Sequence, residues 1–303
     1  MTRLLIAALL WALASPLMAD DRRVALGWGQ LFSNDMLGDG RDRWRTASLT
    51  LSYLRGRPRG DKLPTRLGDV LEYRLRAEII SPANLSLPDP FDRPWAGTIA
   101  AGLHSYAATG PVEYRLGLDL VSVGPSTGLD DLQFDLHKRM KASLPSLETI
   151  EKQIDNTTRL MASGEIAHRF QPRPKLSFRP FAEAQLGVET LARIGGDLVI
   201  GDVGHNDLGV RDVVTGQRFP GIDRSPLGTS LVLGADVAYI GDSLYFPSYG
   251  PDARDTRRRF RASLKVKLSD RIGMHLGSTW LSEEFVGQSG EQQIGSVGFS
   301  FVF

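Results

Sequence analysis

The sequence consists largely of segments in which apolar and polar residues alternate with a period of two. In the segment Val112–Leu120 every even-numbered residue is apolar, whereas Glu113, Arg115 and Asp119 occupy odd-numbered positions. The segment Phe260–Leu268 alternates in the same way. Because successive side chains of a strand point to opposite faces, these segments predict strands with one apolar and one polar face.

About twelve such segments follow one another along the chain. They cover residues 24–33, 44–55, 67–80, 95–107, 112–123, 161–170, 175–188, 191–202, 229–241, 257–268, 271–282 and 292–303. A tilted strand of about ten residues can cross a bilayer, and in lipid every strand edge must be paired. An even number of two-faced strands, ending at the aromatic Phe303, therefore predicts an all-β fold, a transmembrane antiparallel β-barrel. The alternative is a soluble sandwich or lipocalin-like barrel, which would have to bury Arg261, Lys265 and Lys267.

The N-terminal residues have the pattern of a secretory signal peptide. Arg3 is followed by the apolar run Leu4–Leu13 and then by small residues, which predicts cleavage after Ala19. This run is too short for a membrane-spanning helix, and no later segment reaches about 18 uninterrupted apolar residues. The predicted organisation is a signal peptide over residues 1–19 and a multi-pass outer-membrane barrel over residues 20–303.

The composition excludes two classes of function. The chain has 36 Lys and Arg against 35 Asp and Glu, and loss of residues 1–19 removes one Arg, which leaves 35 against 35. A neutral exported chain offers no basic field for a nucleic-acid partner. It also has no cysteine, so neither a disulfide framework nor a thiol nucleophile is available.

Barrel parity divides the connections between the two sides of the membrane. With both termini in the periplasm, the connections after odd-numbered strands lie on the cell-surface side. These outer connections are residues 34–43, 81–94, 124–160, 189–190, 242–256 and 283–291. The long connection 203–228 falls on the periplasmic side, which is unusual for such a barrel.

The first outer connection is rich in oxygen ligands. Asn34, Asp35, Asp39 and Asp42 supply the hard donors that a calcium ion prefers, although neither the spacing nor the closing glutamate of an EF-hand is present. A solvated surface turn is the alternative interpretation.

The third outer connection is long enough to contain a helix of its own. An apolar stripe recurs at helical spacing: Leu129, Leu132, Leu136 and Met140. A polar row lies beside it: Asp130, Gln133, His137 and Lys141. Parity places His137 on the same barrel rim as Asp35, so we expect the two residues to be able to meet.

The start of this connection also fits the G-x-S-x-G pattern of a nucleophile elbow, with Ser126 at its centre. An elbow needs a strand-to-helix turn within a parallel α/β sheet, which the sequence does not predict, and Pro125 lacks the N–H and the freedom of a strained turn. Capping of the following helix by Ser126 and Thr127 is the simpler interpretation.

The two loops, together with the strands between them, resemble the lipid A 3′-O-deacylases, the LpxR-type family of outer-membrane barrels. The matching residues are Asn34-Asp35, Asp42-Arg43, Thr46, Ser81-Pro82, Asp92-Arg93, the segment from Glu113 to Pro125, Gln133, His137, Gln153 and Asn156. The resemblance runs in order over the mature chain and includes the helical third loop and the long periplasmic connection.

The resemblance implies a calcium-dependent esterase that modifies lipopolysaccharide by acting on lipid A in the outer leaflet. It implies His137 as the general base for a water that attacks the 3′ ester, with Asn34, Asp35 and a bound cation stabilising the oxyanion. Asp35 and Asp42 would be the cation ligands and Thr46 would line the site. Gln133, Arg43 and Arg93 would bind the substrate. An imidazole that titrates near neutrality suits this chemistry.

The chain departs from the family pattern at four positions. No lysine stands near Asn84, Ser143 aligns with a family glutamate, Arg45 replaces an aromatic residue, and the usual tryptophan falls near Ile150. Two further hypotheses therefore stay open beside the deacylase. One is an outer-membrane phospholipase that uses Ser126 and His137, and the other is a non-catalytic barrel, either a degenerate relative or a narrow pore.

Overall fold

The structure, a computed structural model, describes residues 23–57 and 63–303, so the predicted signal peptide lies outside the described residues. The strands are β1 (Val24–Asn34), β2 (Trp44–Gly56), β3 (Val70–Ser81), β4 (Ala96–Thr109), β5 (Val112–Val123), β6 (Thr157–His168), β7 (Phe170–Arg173), β8 (Leu176–Leu186), β9 (Glu189–Gly201), β10 (Leu208–Arg211), β11 (Arg218–Ile222), β12 (Gly228–Ser243), β13 (Thr256–Lys267), β14 (Ile272–Leu281) and β15 (Gln292–Val302). The helices are α1 (Leu129–Met140) and α2 (Leu147–Glu151), and 3-10 turns span Asp35–Leu37 and Pro125–Thr127. Neither helix of the described residues is long and apolar enough to cross a bilayer.

The twelve long strands form one closed antiparallel barrel, as predicted. Hydrogen-bonded neighbours follow chain order from β1 to β6, β8 and β9, then β12 to β15, and β1 closes the ring by pairing with β15. The largest boundary error concerns the sixth strand, which begins at Thr157 instead of residue 161. The short strand β7 and the hairpin β10–β11 were not expected.

The two faces of the strands divide as the alternation predicts. On β5 the side chains of Leu116 and Leu118 are more than half exposed on the outer surface, whereas Glu113, Arg115 and Asp119 are buried in the lumen. The outward side chains therefore form an apolar surface for lipid, and the lumen is polar.

Ion pairs fill the lumen. Arg211 bonds Glu165 at 2.6 Å and Asp197 at 2.8 Å, and Arg261 bonds Asp197 at 2.9 Å. Lys265 bonds Asp207 at 2.8 Å. These charges can be buried because each one faces a partner of opposite sign.

The long periplasmic connection folds back into the barrel as the hairpin β10–β11. Val210 and Phe219 of the hairpin pack against Leu31 of β1 in one buried cluster. Gly29 makes room for it, because a Cβ there would lie 2.6 Å from the main-chain oxygen of Pro220. The unusual length of this connection is explained by its role as a plug.

We expect the plugged barrel to conduct no ions across a planar bilayer. The hairpin and the ion pairs occupy the lumen, so deleting residues 208–222 is expected to produce discrete conductance steps. The measurement is single-channel recording, and heat-modifiable gel mobility reports whether the deletion variant is folded. Open-channel conductance of the intact protein would contradict this account and favour the pore hypothesis.

The start of helix α1 rests on the outside of the barrel wall. Leu129 packs in one cluster with Trp95, Leu85, Ile79 and the strand residues Ala47, Ala77 and Ile99. These strand residues alternate with the buried luminal ones, so they belong to the outer face of β2, β3 and β4. The space between α1 and the wall therefore lies on the membrane side of the barrel.

Candidate functional site

The first outer loop fixes a fully buried carboxylate. Asn34 ends β1 and caps the following 3-10 turn, its Oδ1 accepting from the amide of Met36 at 2.7 Å. The next residue, Asp35, is inaccessible to solvent, and its Oδ2 accepts from the amide of Arg43 at 2.8 Å and from Nε2 of Gln292 at 3.2 Å. Asp35 is thereby held in one orientation.

Burial dominates the electrostatics of Asp35. Removal from water, with smaller contributions from the nearby Asp42 and Asp39, raises the pKa of the Asp35 carboxyl from its usual 3.8 to about 7. Hydrogen bonds from the Arg43 amide and the Thr46 hydroxyl oppose this rise without cancelling it. A proton or a cation at this carboxylate therefore lowers the free energy of the folded site near neutral pH.

A bulge in β2 places Thr46 between two carboxylates. The pairing of β2 with β3 shifts register between Arg45 and Ala47, and Thr46 is the extra residue. Its Oγ1 lies 2.9 Å from Oδ1 of Asp35 and 2.5 Å from Oδ1 of Asp42. A hydroxyl carries one hydrogen, so three oxygens converge here with one donor among them.

His137 of the third loop reaches the first loop through Asp42. Its Nε2 lies 3.1 Å from Oδ2 of Asp42, and its Nδ1 lies 2.6 Å from the main-chain oxygen of Ser143. Ser143 is brought there because Lys141 ends α1 in the left-handed region and reverses the chain. The contact series runs from Asp35 through Thr46 and Asp42 to His137, so Asp35 and His137 meet indirectly.

The position aligned with a family glutamate is therefore occupied by a serine whose main-chain carbonyl holds the imidazole. Both partners of the ring are acceptors, and the ring donates to both only with a hydrogen on each nitrogen. Donation from Nδ1 to Ser143 fixes the ring orientation and directs Nε2 at Asp42.

The faces of α1 are sharply divided. Gln133 and His137 are buried toward the barrel wall, and Oε1 of Gln133 accepts from Nε1 of Trp95 at 2.7 Å. Asp130 accepts from Nε2 of Gln153 at 3.0 Å, which ties the helix to the segment after α2. Of the predicted apolar stripe, Leu129 alone is buried; the remaining members, Leu132, Leu136 and Met140, are exposed.

The two arginines predicted to bind substrate have other partners. The guanidinium of Arg43 lies 3.9 Å from the ring of Trp44 and bonds Asp39 at 3.1 Å. Arg93 is almost fully buried and bonds Glu284 at 2.5 Å. Neither guanidinium bonds His137 in the part of the chain that the structure describes.

A cavity of about 480 Å³ lies between the second outer loop and the α2 segment. Its lining includes Arg93, Trp95, Lys152, Gln153 and Tyr249. The Nε and Nη2 atoms of Arg93 and the Oε1 atom of Gln153 are buried without a hydrogen-bond partner among the described residues. These atoms are closed off from solvent, so they lie behind the cavity surface and not at it.

Gln292 and Glu284 were missed by sequence reasoning. Gln292 begins β15 and reaches Asp35 because β1 and β15 close the barrel, 257 residues apart in the chain. Glu284 belongs to the last outer loop and binds arginines from one other loop and two strands. Only the parity of the loops could have indicated either residue, because neither lies in a recognisable motif.

The structure corrects the expectation that Ser126 helps to cap the helix. The N-cap of α1 is Gly128, and the Ser126 side chain makes no capping bond, whereas Oγ1 of Thr127, at the end of the 3-10 turn Pro125–Thr127, accepts from the amide of Leu129 at 3.4 Å. Ser126 is exposed, and its amide donates to Oδ1 of Asn156 at 2.7 Å. The two ring nitrogens of His137 are bonded elsewhere, so Ser126 and His137 form no pair.

Three side-chain oxygens converge at Thr46, and their chemistry can be compared with the needs of a cation. Within the described ranges no group of three or more Asp, Glu, His or Cys side chains converges as a metal site. Asp35, Asp42 and the Thr46 hydroxyl still fit a hard divalent cation, because a cation would supply the positive charge that three converging oxygens lack. Calcium takes six to eight oxygen ligands, so water and substrate would complete such a site.

A closed barrel with a plugged polar lumen and an apolar outer surface defines an outer-membrane β-barrel protein, here with a buried polar site beneath an outer helix. The chain belongs to the family described as outer membrane protein LpxR, whose model matches residues 4–303. The protein accordingly resides in the bacterial outer membrane.

Several solved structures are similar to this chain, and LpxR from Salmonella typhimurium shows the same fold. LpxR from Salmonella typhimurium matches with a TM-score of 0.75 and 20% identity, over 91% of this chain and 100% of that chain. The β domain of the Bordetella autotransporter BrkA matches with a TM-score of 0.47 and 10% identity, over 93% of this chain and 100% of that chain. The KdgM porin matches with a TM-score of 0.42 and 8% identity, over 92% of this chain and 99% of that chain. None of the curated proteins matches the chain.

Proposed function

We propose that this protein is an esterase that removes the 3′-linked acyl chain of lipid A in the outer leaflet. The observation that carries the proposal is the contact series from Asp35 through Thr46 and Asp42 to His137, on the membrane side of the barrel wall. Membership of the LpxR family supports the same substrate.

His137 is the proposed general base. Nδ1 donates a hydrogen bond to the carbonyl of Ser143, so Nε2 is the nitrogen that can accept a proton. Asp42 now faces Nε2, so a water must enter between them, or Asp42 must turn toward another partner, before the base acts. Proton transfer from that water to Nε2 accompanies addition of its oxygen to the ester carbonyl carbon. The bond from that carbon to the sugar oxygen then breaks, and the imidazolium returns the proton to the leaving sugar oxygen, which releases the fatty acid.

Asp35, Asp42 and Thr46 are the proposed ligands of a divalent cation, for which calcium is our expectation. A cation held there would polarise the ester carbonyl and would stabilise the negative charge that develops on its oxygen. Asp42, when it serves as a ligand, leaves Nε2 of His137 to the water. Asn34 adds a donor, because its Oδ1 is used in the cap and its Nδ2 has no partner in the described ranges.

The saccharide part of the substrate is proposed to occupy the cavity beside Trp95. Lys152 and Tyr249 are exposed in its lining and offer polar groups to a hydroxyl-rich ligand, whereas the Arg93 side chain lies behind the cavity surface and would support it from beneath. Gln133 can contribute its amide hydrogens, because Trp95 engages only its oxygen. Arg43 would act at the rim of the first loop.

Cation removal tests the proposed ligands. We expect a chelator to abolish release of the acyl chain and calcium to restore it, with Asp42→Asn lowering activity and raising the calcium concentration required. Asp39→Asn is the matched control, since Asp39 lies on the same loop but bonds Arg43. Lipid A mass spectrometry measures the loss of the acyl mass. Full activity in excess chelator would refute the role of the cation.

The alternatives are less well supported. A phospholipase with Ser126 as nucleophile lacks a contact between that serine and His137. A non-catalytic relative was suggested by the missing family glutamate, but the carbonyl of Ser143 supplies an acceptor for the imidazole at the same position.

A further inference from the structure

One flank of helix α1 carries apolar side chains that the protein does not cover. Leu132 is 49% exposed, Leu136 46% and Met140 65%. These residues are spaced by four, so they form one continuous row along the helix. The row lies next to the buried row of Gln133 and His137, and the opposite face carries charged residues such as Asp131 and Lys138.

The helix begins below the outer ends of the strands. Leu129 lies in a buried cluster against which Ala47, Ala77 and Ile99 pack, and these three residues lie three to four residues inside the outer ends of their strands. That distance is about 10 Å of strand length, so the start of α1 lies against the outward face of the barrel wall. Leu132 follows Leu129 by three residues, so the exposed row begins about one helical turn from this contact.

The first loop presents apolar side chains beside the site as well. Met36 and Leu37 follow Asp35 directly and are each more than half exposed. A Cβ at Gly295 of β15 would collide with Leu37, which places this turn against the outward face of that strand. Both segments that contribute to the site therefore carry uncovered apolar residues on the outside of the wall.

We propose that Leu132, Leu136 and Met140 form a lipid-docking surface that inserts into the outer leaflet and contacts the acyl chains of the glycolipid substrate beside His137. The occupant is an acyl chain because the row begins about one helical turn from the outward wall that the strands present to hydrocarbon, and because charged residues such as Asp131 and Lys138 lie on the other side of the helix. The part that concerns the substrate rests on the proposed function, whereas insertion into lipid does not.

Labelling tests the insertion directly. The chain has no cysteine, so single variants at Leu132→Cys, Leu136→Cys and Met140→Cys carry one environment-sensitive fluorophore each, with Asp131→Cys and Lys138→Cys as controls on the same helix. In phospholipid vesicles, nitroxide groups on the acyl chains are expected to quench the fluorescence of labels in the row at least about twofold more than that of the control labels. Iodide in the water is expected to quench the control labels more than the labels in the row. Equal quenching by iodide at all five positions would overturn the proposal.

Activity tests the docking of substrate. Combined replacement of the three row residues by serine is expected to reduce kcat/KM on membrane-embedded glycolipid about tenfold more than on a short-chain ester dispersed in water. Asp131→Ser with Lys138→Ser should match the unsubstituted protein on both substrates. Equal losses on both substrates would indicate a structural defect and refute the docking role. If the unsubstituted protein hydrolyses neither substrate, the proposed function fails while the quenching result decides insertion alone.

Discussion

Replacement of His137 by alanine is expected to slow release of the 3′ acyl chain from lipid A by about 10²- to 10⁴-fold. The reason is that His137 supplies the one imidazole in contact with the outer-loop carboxylates of the described chain, through Nε2 at 3.1 Å from Asp42. Without it, attack on the ester depends on unassisted water. The measurement is the rate of acyl loss from lipid A in membranes with equal amounts of folded protein.

Two controls separate this effect from a loss of structure. Ser126→Ala is expected to retain the full rate, because Ser126 is exposed and does not bond His137. His137→Gln keeps a polar side chain in the buried row and should lose activity like the alanine variant while preserving heat-modifiable mobility. Undiminished hydrolysis in His137→Ala would refute the proposed base, and loss of activity in Ser126→Ala alone would favour the phospholipase.

The barrel was predictable because its strands face two different media. Leu116 and Leu118 face the lipid, whereas Arg115 and Asp119 face the polar lumen. The sequence therefore alternates between apolar and polar residues with a period of two. The hairpin β10–β11 was not predicted because both of its faces are buried in the lumen, as the burial of Val210 shows. Its residues therefore do not alternate between apolar and polar. The start of β6 was misplaced because polar residues reach its outer face near the membrane surface.

The site was predictable in its parts but not in its pairing. The sequence indicated His137 and the first-loop acids, and parity placed them on one rim. It assigned Asp42 to a cation only, whereas the structure sets Asp42 against the imidazole and uses Thr46 to join it to Asp35. That pairing depends on a bulge in β2, and a displacement of one residue leaves no compositional signal.

Arg45 stands where the family pattern has an aromatic residue, and in the structure it pairs with three buried glutamates. Its guanidinium bonds Glu78 at 2.6 Å, Glu189 at 3.1 Å and Glu284 at 2.7 Å, with hardly any exposure to solvent. Arg257 shares the last two carboxylates, and Arg93 joins the network through Glu284. The network links a wall of the cavity to the barrel beneath it.

We expect Arg45→Met to be the most destabilising single change in this network, lowering the free energy of unfolding by about 3–5 kcal/mol. Methionine fills a similar volume but leaves three buried carboxylates with one cation fewer. Arg45→Lys keeps the charge and loses the fork of donors, so its cost should be intermediate. The double variant Arg45→Met with Glu284→Gln should recover part of the loss. Urea titration, followed by heat-modifiable gel mobility, measures the free energy of unfolding of each variant. A smaller loss in Arg45→Met than in Arg45→Lys would contradict the argument.

The acid stability of the protein should follow the same network. Burial alone would raise the pKa of Glu284, which lies in the last outer loop, but Arg45, Arg257 and Arg93 outweigh it and lower the pKa to about 2 from the usual 4.5. A depressed carboxyl pKa stabilises the folded state above about pH 4.5, and that contribution is lost as the pH falls toward 2.

In Arg45→Met the strongest of the three cationic contributions is gone, so the pKa of Glu284 moves back toward its usual value. The variant should therefore lose less stability than the unsubstituted protein between pH 4.5 and 2, and the two unfolding curves should converge in acid. Parallel curves over that range would show that Arg45 acts through packing and not through charge.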